Sequence, residues 1–238
     1  TISYKGNKLF PPLANIESIE VPIKEIEDRV NQFAIDEMWG HIARINHQIS
    51  ISVNGFFNRL GALFTPLPLT TRMISSPGAV YGRKTINYTT DTCPITLKWF
   101  NLQNMAFLSE SSQIYLELAM MQKGVNQVYS IYNSFRRECS DATHLSEFHH
   151  IEYEGKIDQE KNEKVILDLI NKIITDLLVK NKENMAYFLD EKKLKELKGF
   201  VDNIYNVPRI TFKEVLKLLY KETGNEKYKI FTLKNFGS

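Results

Sequence analysis

The stretch FRRECSDATHLSEFHHIEYEG, residues 135–155, sets Arg136, Glu138, His144, Glu152 and Glu154 among Phe135, Phe148, Ile151 and Tyr153. That mixture suits a nucleotide. A guanidinium presents a planar fork of donors to phosphate, a carboxylate accepts from an exocyclic amine, and a phenyl ring stacks on a purine. The same residues also suit a sheet edge laced with exposed ion pairs, each contributing roughly 0–1 kcal/mol. His149 and His150 are neighbours. Neighbouring strand residues point to opposite faces, so a regular strand cannot aim both at one metal, and a packing role fits them better. Cys93 and Cys139 are too few for a disulfide framework or a Cys-based zinc site.

The elements that would position these groups are legible from periodicity. In NQVYSIYNSFRRE, Val128, Ser130 and Tyr132 alternate with Tyr129, Ile131 and Asn133, as in a strand. EFHHIEYEG reads as a second strand, and the two form an antiparallel hairpin whose long loop lies between Arg136 and Glu147. Upstream, Val30, Phe33, Ala34, Met38, Ile42 and Ile45 recur at three and four, which predicts a helix from Ile23 to about Leu63. Pro66 and Pro68 are expected to end it and to favour extended chain afterwards. Residues 1–22, with Pro11, Pro12 and Pro22, read as an extended arm.

Residues 74–95 are rich in Gly, Pro, Ser and Thr and read as a loop. A helix is expected from Ser112 to Met121, with Gly124 as its stop. In NEKVILDLINKIITDLLVKN, the residues Ile166, Leu169, Ile170, Ile173, Ile174, Leu177 and Leu178 make one apolar stripe, a core helix packed on a sheet. Residues 182–204 are charged and read as a solvated helical insertion. Thr211 followed by Glu214 has capping-box spacing and starts another helix.

At 238 residues, 43% hydrophobic and 24% charged, the chain can bury a core as one large domain. Its 30 Lys and Arg balance 28 Asp and Glu, so bulk charge gives no argument for a polyanion partner. Two scattered cysteines fit a reducing cytosol. Neither an N-terminal apolar segment of signal-peptide length nor a run of about 18 apolar residues is present, so a soluble cytoplasmic protein without membrane partners is expected.

The hairpin resembles motif 2 of the class II aminoacyl-tRNA synthetases, F-R-x-E, a loop and a second strand. HLSEFHHIEYE is similar to the pattern H-L-x-E-F-x-x-V/I-E-x-E of the asparaginyl branch and its aspartyl relatives. GFFNRLGALFTPLPL resembles the end of motif 1, FLSESSQIYLELAMM the segment S-x-Q-L-x-L-E, and NVPRITFKEVLKLL the segment P-R-I-T-Y-x-E-A. The four occur in the family's order and span roughly residues 50–238. The resemblance implies an α/β (α+β) fold, a mainly antiparallel sheet flanked by helices, over residues 23–238, and a homodimer through the motif 1 region.

It also implies a site. Arg136 would contact the α-phosphate of ATP and stabilise charge as an amino-acid carboxylate attacks. Glu138 would lie near the adenine amine, Phe148 would stack on adenine, and His144 would face the β- and γ-phosphates. Glu152 and Glu154 would hold the site or its Mg²⁺, unless they only pair ions along the strand. Ser111 and Gln113 would surround the substrate backbone. Where the aspartyl pattern has a Lys, this chain has Leu116, followed by Glu117. A carboxylate repels an Asp side chain but accepts from a carboxamide N–H, which points to asparagine; the alternative for Glu117 is a surface helix position.

The chain also departs from the pattern. Too few residues precede motif 1 to build the anticodon-binding barrel, and TLKNFGS ends before the Gly-rich motif 3 expected in the family. The CSDAT loop is short, Thr143 replaces an Arg, and Pro77 stands where relatives carry the Glu that receives the substrate ammonium. The functional expectation is ATP-dependent activation of an asparagine-like amino acid to an aminoacyl-adenylate, with tRNA as the family's second substrate. The rivals are amidation of aspartate by an asparagine synthetase-type enzyme, and a non-catalytic paralogue that binds a partner.

Overall fold

Asp36 opens the first long helix of the chain by turning its carboxylate onto the Met38 N–H at 2.9 Å, an N-cap that satisfies one of the orphan donors of the first turn. The computed structural model describes residues 2–4, 7–9, 30, 33–71, 95–97, 106–136 and 145–229. Helix α1 spans Glu37–Leu60 and stops at Gly61, whose φ of 81° is left-handed. Residues 30 and 33–35 are also helical, so the expected helix is interrupted at Asp36 and, at its other end, stops at Leu60. Gly61, not Pro66, ends it, because a residue without Cβ takes the left-handed turn at no steric cost.

Short strands β1 (Ile2–Tyr4) and β2 (Asn7–Leu9) pair antiparallel within the arm. After α1 come β3 (Leu63–Phe64), β4 (Thr70–Thr71), β5 (Ile95–Leu97) and β6 (Ala106–Leu108). Helix α2 (Gln113–Met120) is followed by β7 (Gln127–Phe135) and β8 (Glu147–Gly155). β7 and β8 pair antiparallel from Gln127↔Gly155 to Phe135↔Glu147, the expected hairpin. β3 joins β7 in parallel, and β4 and β5 flank β6 antiparallel. The Ser109 carbonyl accepts from the Phe135 N–H at 2.9 Å, so the segment leaving β6 runs beside the end of β7.

One face of the hairpin packs on α1. Tyr129 and Tyr153 stack on Phe57 with ring centroids 4.6 and 5.4 Å away, and Val53, Phe57, Ala62 and Tyr129 form a buried cluster. Helix α3 (Gln159–Lys180) seals it with Val165, Leu169 and Ile173. It begins at Gln159 because Asp158 caps it, accepting from the Lys161 N–H at 2.8 Å. Ile166 of the expected stripe is exposed. Helices α4 (Lys182–Phe188) and α5 (Glu191–Asp202) pack on α3 through Leu177, Met185 and Leu194. Helix α6 (Phe212–Thr223) carries the expected capping box between Thr211 and Glu214.

Candidate functional site

With one hairpin face committed to α1, the opposite face is free to carry chemistry. Directly opposed residues of an antiparallel pair share a face, so the register sets Ser130 with Glu152, Tyr132 with His150 and Ser134 with Phe148. Ser130 and Ser134 are fully buried. These small side chains on either side of Tyr132 are covered by their neighbours, Ser134 by His150, whose Nδ1 lies 2.8 Å from its hydroxyl.

Arg136 leaves β7 anchored by its N–H on the Ser146 carbonyl at 2.9 Å. Its guanidinium carbon lies 5.3 Å from the centroid of the Phe148 ring, a cation–π distance. Its Nε is buried and has no hydrogen-bond partner among the described residues. Glu152 accepts from the Ser111 hydroxyl at 3.4 Å through Oε1, which is also 3.6 Å from His150 Nδ1. Its Oε2 is buried without a partner among the described residues.

The Gln113 amide donates to Glu154 Oε1 at 3.0 Å. Burial pushes the Glu154 carboxyl above its ordinary range, Gln113 opposes this, and the charges of Glu117 and Glu152 add to it. Glu117 sits one helical turn after Gln113 on the exposed side of α2. Leu116 beside it is fully buried. The structure thus brings Arg136, Phe148, Glu152, Glu154, Ser111, Gln113 and Glu117 to one face of the hairpin and the helix start beside it. Glu138 and His144 lie outside the described residues, as do Cys139, Thr143, Cys93 and Pro77.

Two further residues belong to this face. The Tyr132 hydroxyl accepts from the Ser112 N–H at 3.0 Å and lies 3.3 Å from His150 Nδ1. Burial and then the Glu152 contact push it up to about 12. His150 Nδ1 is 2.8 Å from the Ser134 hydroxyl, and burial lowers its pKa, opposed by Glu152 and reinforced by Arg136. The packing role expected for His150 places it beside the candidate site; His149 faces the other way, opposite Asn133.

Glu110 is 6% exposed, and neither of its carboxylate oxygens has a partner among the described residues. Burial raises its carboxyl to about 7, against the opposing charge of Arg136. The signals for these residues were the small serines around Tyr132 and the run Ser109–Ser112, where a Glu sits among residues small enough to be closed over.

Among the described residues no three His, Cys, Asp or Glu side chains form a group that could hold a metal ion. No helix among them is long and apolar enough to cross a membrane.

The sequence profile described as tRNA synthetases class II (D, K and N) matches residues 28–235. An asparagine–tRNA ligase of Pyrococcus abyssi is 30% identical over 182 residues, covering 75% of this chain and 36% of the relative. One from Thermococcus kodakarensis is 34% identical over 151 residues, covering 62% of this chain and 31% of the relative. The chain thus spans about a third of the length of these relatives. A crystal structure of asparaginyl-tRNA synthetase from Pyrococcus horikoshii complexed with asparaginyl-adenylate superposes with a TM-score of 0.69 at 23% identity, over 87% of this chain and 44% of that one. That likeness establishes the fold: a mixed α/β class II synthetase sheet flanked by helices.

Proposed function

The chain belongs to the class II tRNA synthetases (D, K and N), and from that membership we propose that it takes part in ATP-dependent activation of an asparagine-like amino acid to an aminoacyl-adenylate. The observation that carries the reading is the pairing of Arg136 with Phe148: a cation held at an aromatic ring, with a buried donor that has no partner among the described residues. In that reading a carboxylate oxygen of the amino acid attacks the α-phosphorus of ATP, and the bond to the β-phosphate oxygen breaks to release pyrophosphate. Arg136 stabilises the negative charge that builds on the α-phosphoryl oxygens, an effect strongest in a site already ordered before reaction.

Phe148 offers its ring to adenine, with Glu138 near the exocyclic amine and His144 toward the outer phosphates. Glu152 keeps a buried oxygen without a partner among the described residues, the hard donor that Mg²⁺ takes. With Glu154 it would hold that ion, which would neutralise triphosphate charge. Ser111 and Gln113 receive the amino-acid backbone. Buried, apolar Leu116 offers no cation to a substrate carboxylate, and Glu117 follows it, so the carboxamide is favoured over aspartate.

Transfer to tRNA as the second step and a cytoplasmic setting belong to the same reading. So do an arm over 1–22, a catalytic unit over 23–238 with the insertion at about 182–204, and a homodimer through the motif 1 region, where Ile51, Leu63 and Phe64 are exposed. The test is ATP–pyrophosphate exchange across the amino acids. Exchange with asparagine is expected; none with any amino acid sinks the activation reading.

A further inference from the structure

We propose that Glu110 is a substrate-binding residue of the amino-acid pocket, whose carboxylate receives the ammonium group of the substrate. The inference rests on the activation reading above and adds a residue to it. The geometry is that of a built acceptor without its donor. Glu110 is 6% exposed, and both oxygens lack a hydrogen-bond partner among the described residues. A buried carboxylate left unpaired costs several kcal/mol, so a fold retains one only where something else supplies the donors.

The surrounding structure fixes its place. Ser109 bonds through its carbonyl to the Phe135 N–H and through its hydroxyl to Ser112 at 2.8 Å. Ser111 reaches Glu152, and the Ser112 N–H is held by Tyr132. Glu110 is therefore pinned between the end of β7, which leads into Arg136, and the start of α2, which carries Gln113. It is near enough to Arg136 for the two charges to be felt.

The ligand chemistry follows from the charges. Arg136 offers a donor to an anionic group, while Glu110 offers two acceptors to a cationic one, so a zwitterion fits both ends. Mg²⁺ suits Glu110 less well, because that ion sheds water reluctantly and prefers sites where it keeps several waters. An ammonium arrives with three N–H donors and needs only acceptors.

The test uses calorimetric titration of the 238-residue chain with ATP, with L-asparagine, and with succinamic acid, which keeps the carboxamide and carboxylate but lacks the ammonium. Wild type is expected to bind asparagine at least tenfold more tightly than succinamic acid. In E110Q asparagine should weaken at least tenfold while succinamic acid does not weaken, and the thermal midpoint should hold or rise, since an unpaired buried charge has been removed. Equal weakening of both ligands, no change in either, or loss of ATP and Mg²⁺ binding instead would overturn the inference. Should E110Q fail to fold, E110D is expected to weaken asparagine yet keep its advantage over succinamic acid; loss of that advantage overturns the inference too. Wild type that binds neither ATP nor asparagine defeats the activation reading itself, whereas wild type that binds ATP and binds asparagine and succinamic acid with equal affinity defeats only the role of Glu110.

Discussion

Arg136 and Phe148 meet across the open end of the hairpin, guanidinium carbon to ring centroid 5.3 Å, although the loop between them is long. The strand register makes this possible. Phe148 is the partner of Ser134, and Ser134 and Arg136 share a face because side chains alternate along extended chain. The small serine leaves the ring open to the arginine. A large residue at 134 would stand between them.

Replacing Arg136 with alanine is expected to lower the rate of ATP–pyrophosphate exchange by roughly 10²–10³-fold, the usual effect of losing one prearranged charge-stabilising donor. R136K should recover only part of it, because an ammonium lacks the planar fork. Steady-state exchange at saturating ATP reads the loss. An unchanged rate in R136A would remove this residue from the chemistry.

For Phe148, the expected change lies in ATP affinity. Stacking of a base on an aromatic side chain contributes roughly 1–3 kcal/mol, so F148A should raise the KM for ATP about tenfold with a smaller change in kcat. F148Y keeps the ring face and should behave nearly as wild type. A fall in kcat at unchanged KM would place the ring elsewhere.

The hairpin is legible because strand alternation is a local signal, and the motif resemblance singles out Arg136 and Phe148 as candidate site residues on it. Helix α1 stops at Leu60, three residues before the expected end near Leu63, and at Gly61 rather than through Pro66. Proline excludes helix wherever it falls, but the left-handed turn at Gly61 stops this one first. For Glu110 and Tyr132 the small serines around them are the one signal in the sequence, and it does not show burial. A Glu among serines reads as solvated, and only closure of the 109–112 segment onto the end of β7 buries it. Nothing local in the sequence reveals that Tyr132, Ser134 and Glu152 gather around His150.

Phe57 tests the support behind the site. It is fully buried, and both Tyr129 and Tyr153 stack on it, so it holds both strands of the hairpin to α1. F57A is expected to lower unfolding stability by roughly 3–5 kcal/mol, read by denaturant unfolding. F57L, which keeps most of the volume, should lose clearly less.

Asp176 gives the fold a dependence on acid. Its carboxylate accepts from the Ser52 hydroxyl at 2.7 Å and from Lys172 at 2.7 Å, with Lys180 at 3.1 Å. Burial works to raise its pKa, but the bonds from Lys172, Ser52 and Lys180 outweigh it and leave the group at about 2. A carboxyl whose folded pKa lies below its unfolded value stabilises the fold fully above the unfolded value of 3.8 and loses that contribution as pH falls toward 2. The contribution is roughly 2 kcal/mol. Urea unfolding followed from pH 6 down to pH 2 should therefore show stability dropping mainly below pH 4. D176N removes the titration, so its curve should fall less steeply there while starting lower at pH 6, where Lys172 and Lys180 lose their counter-charge. Parallel curves for the two proteins would show that the acid sensitivity of the fold arises elsewhere.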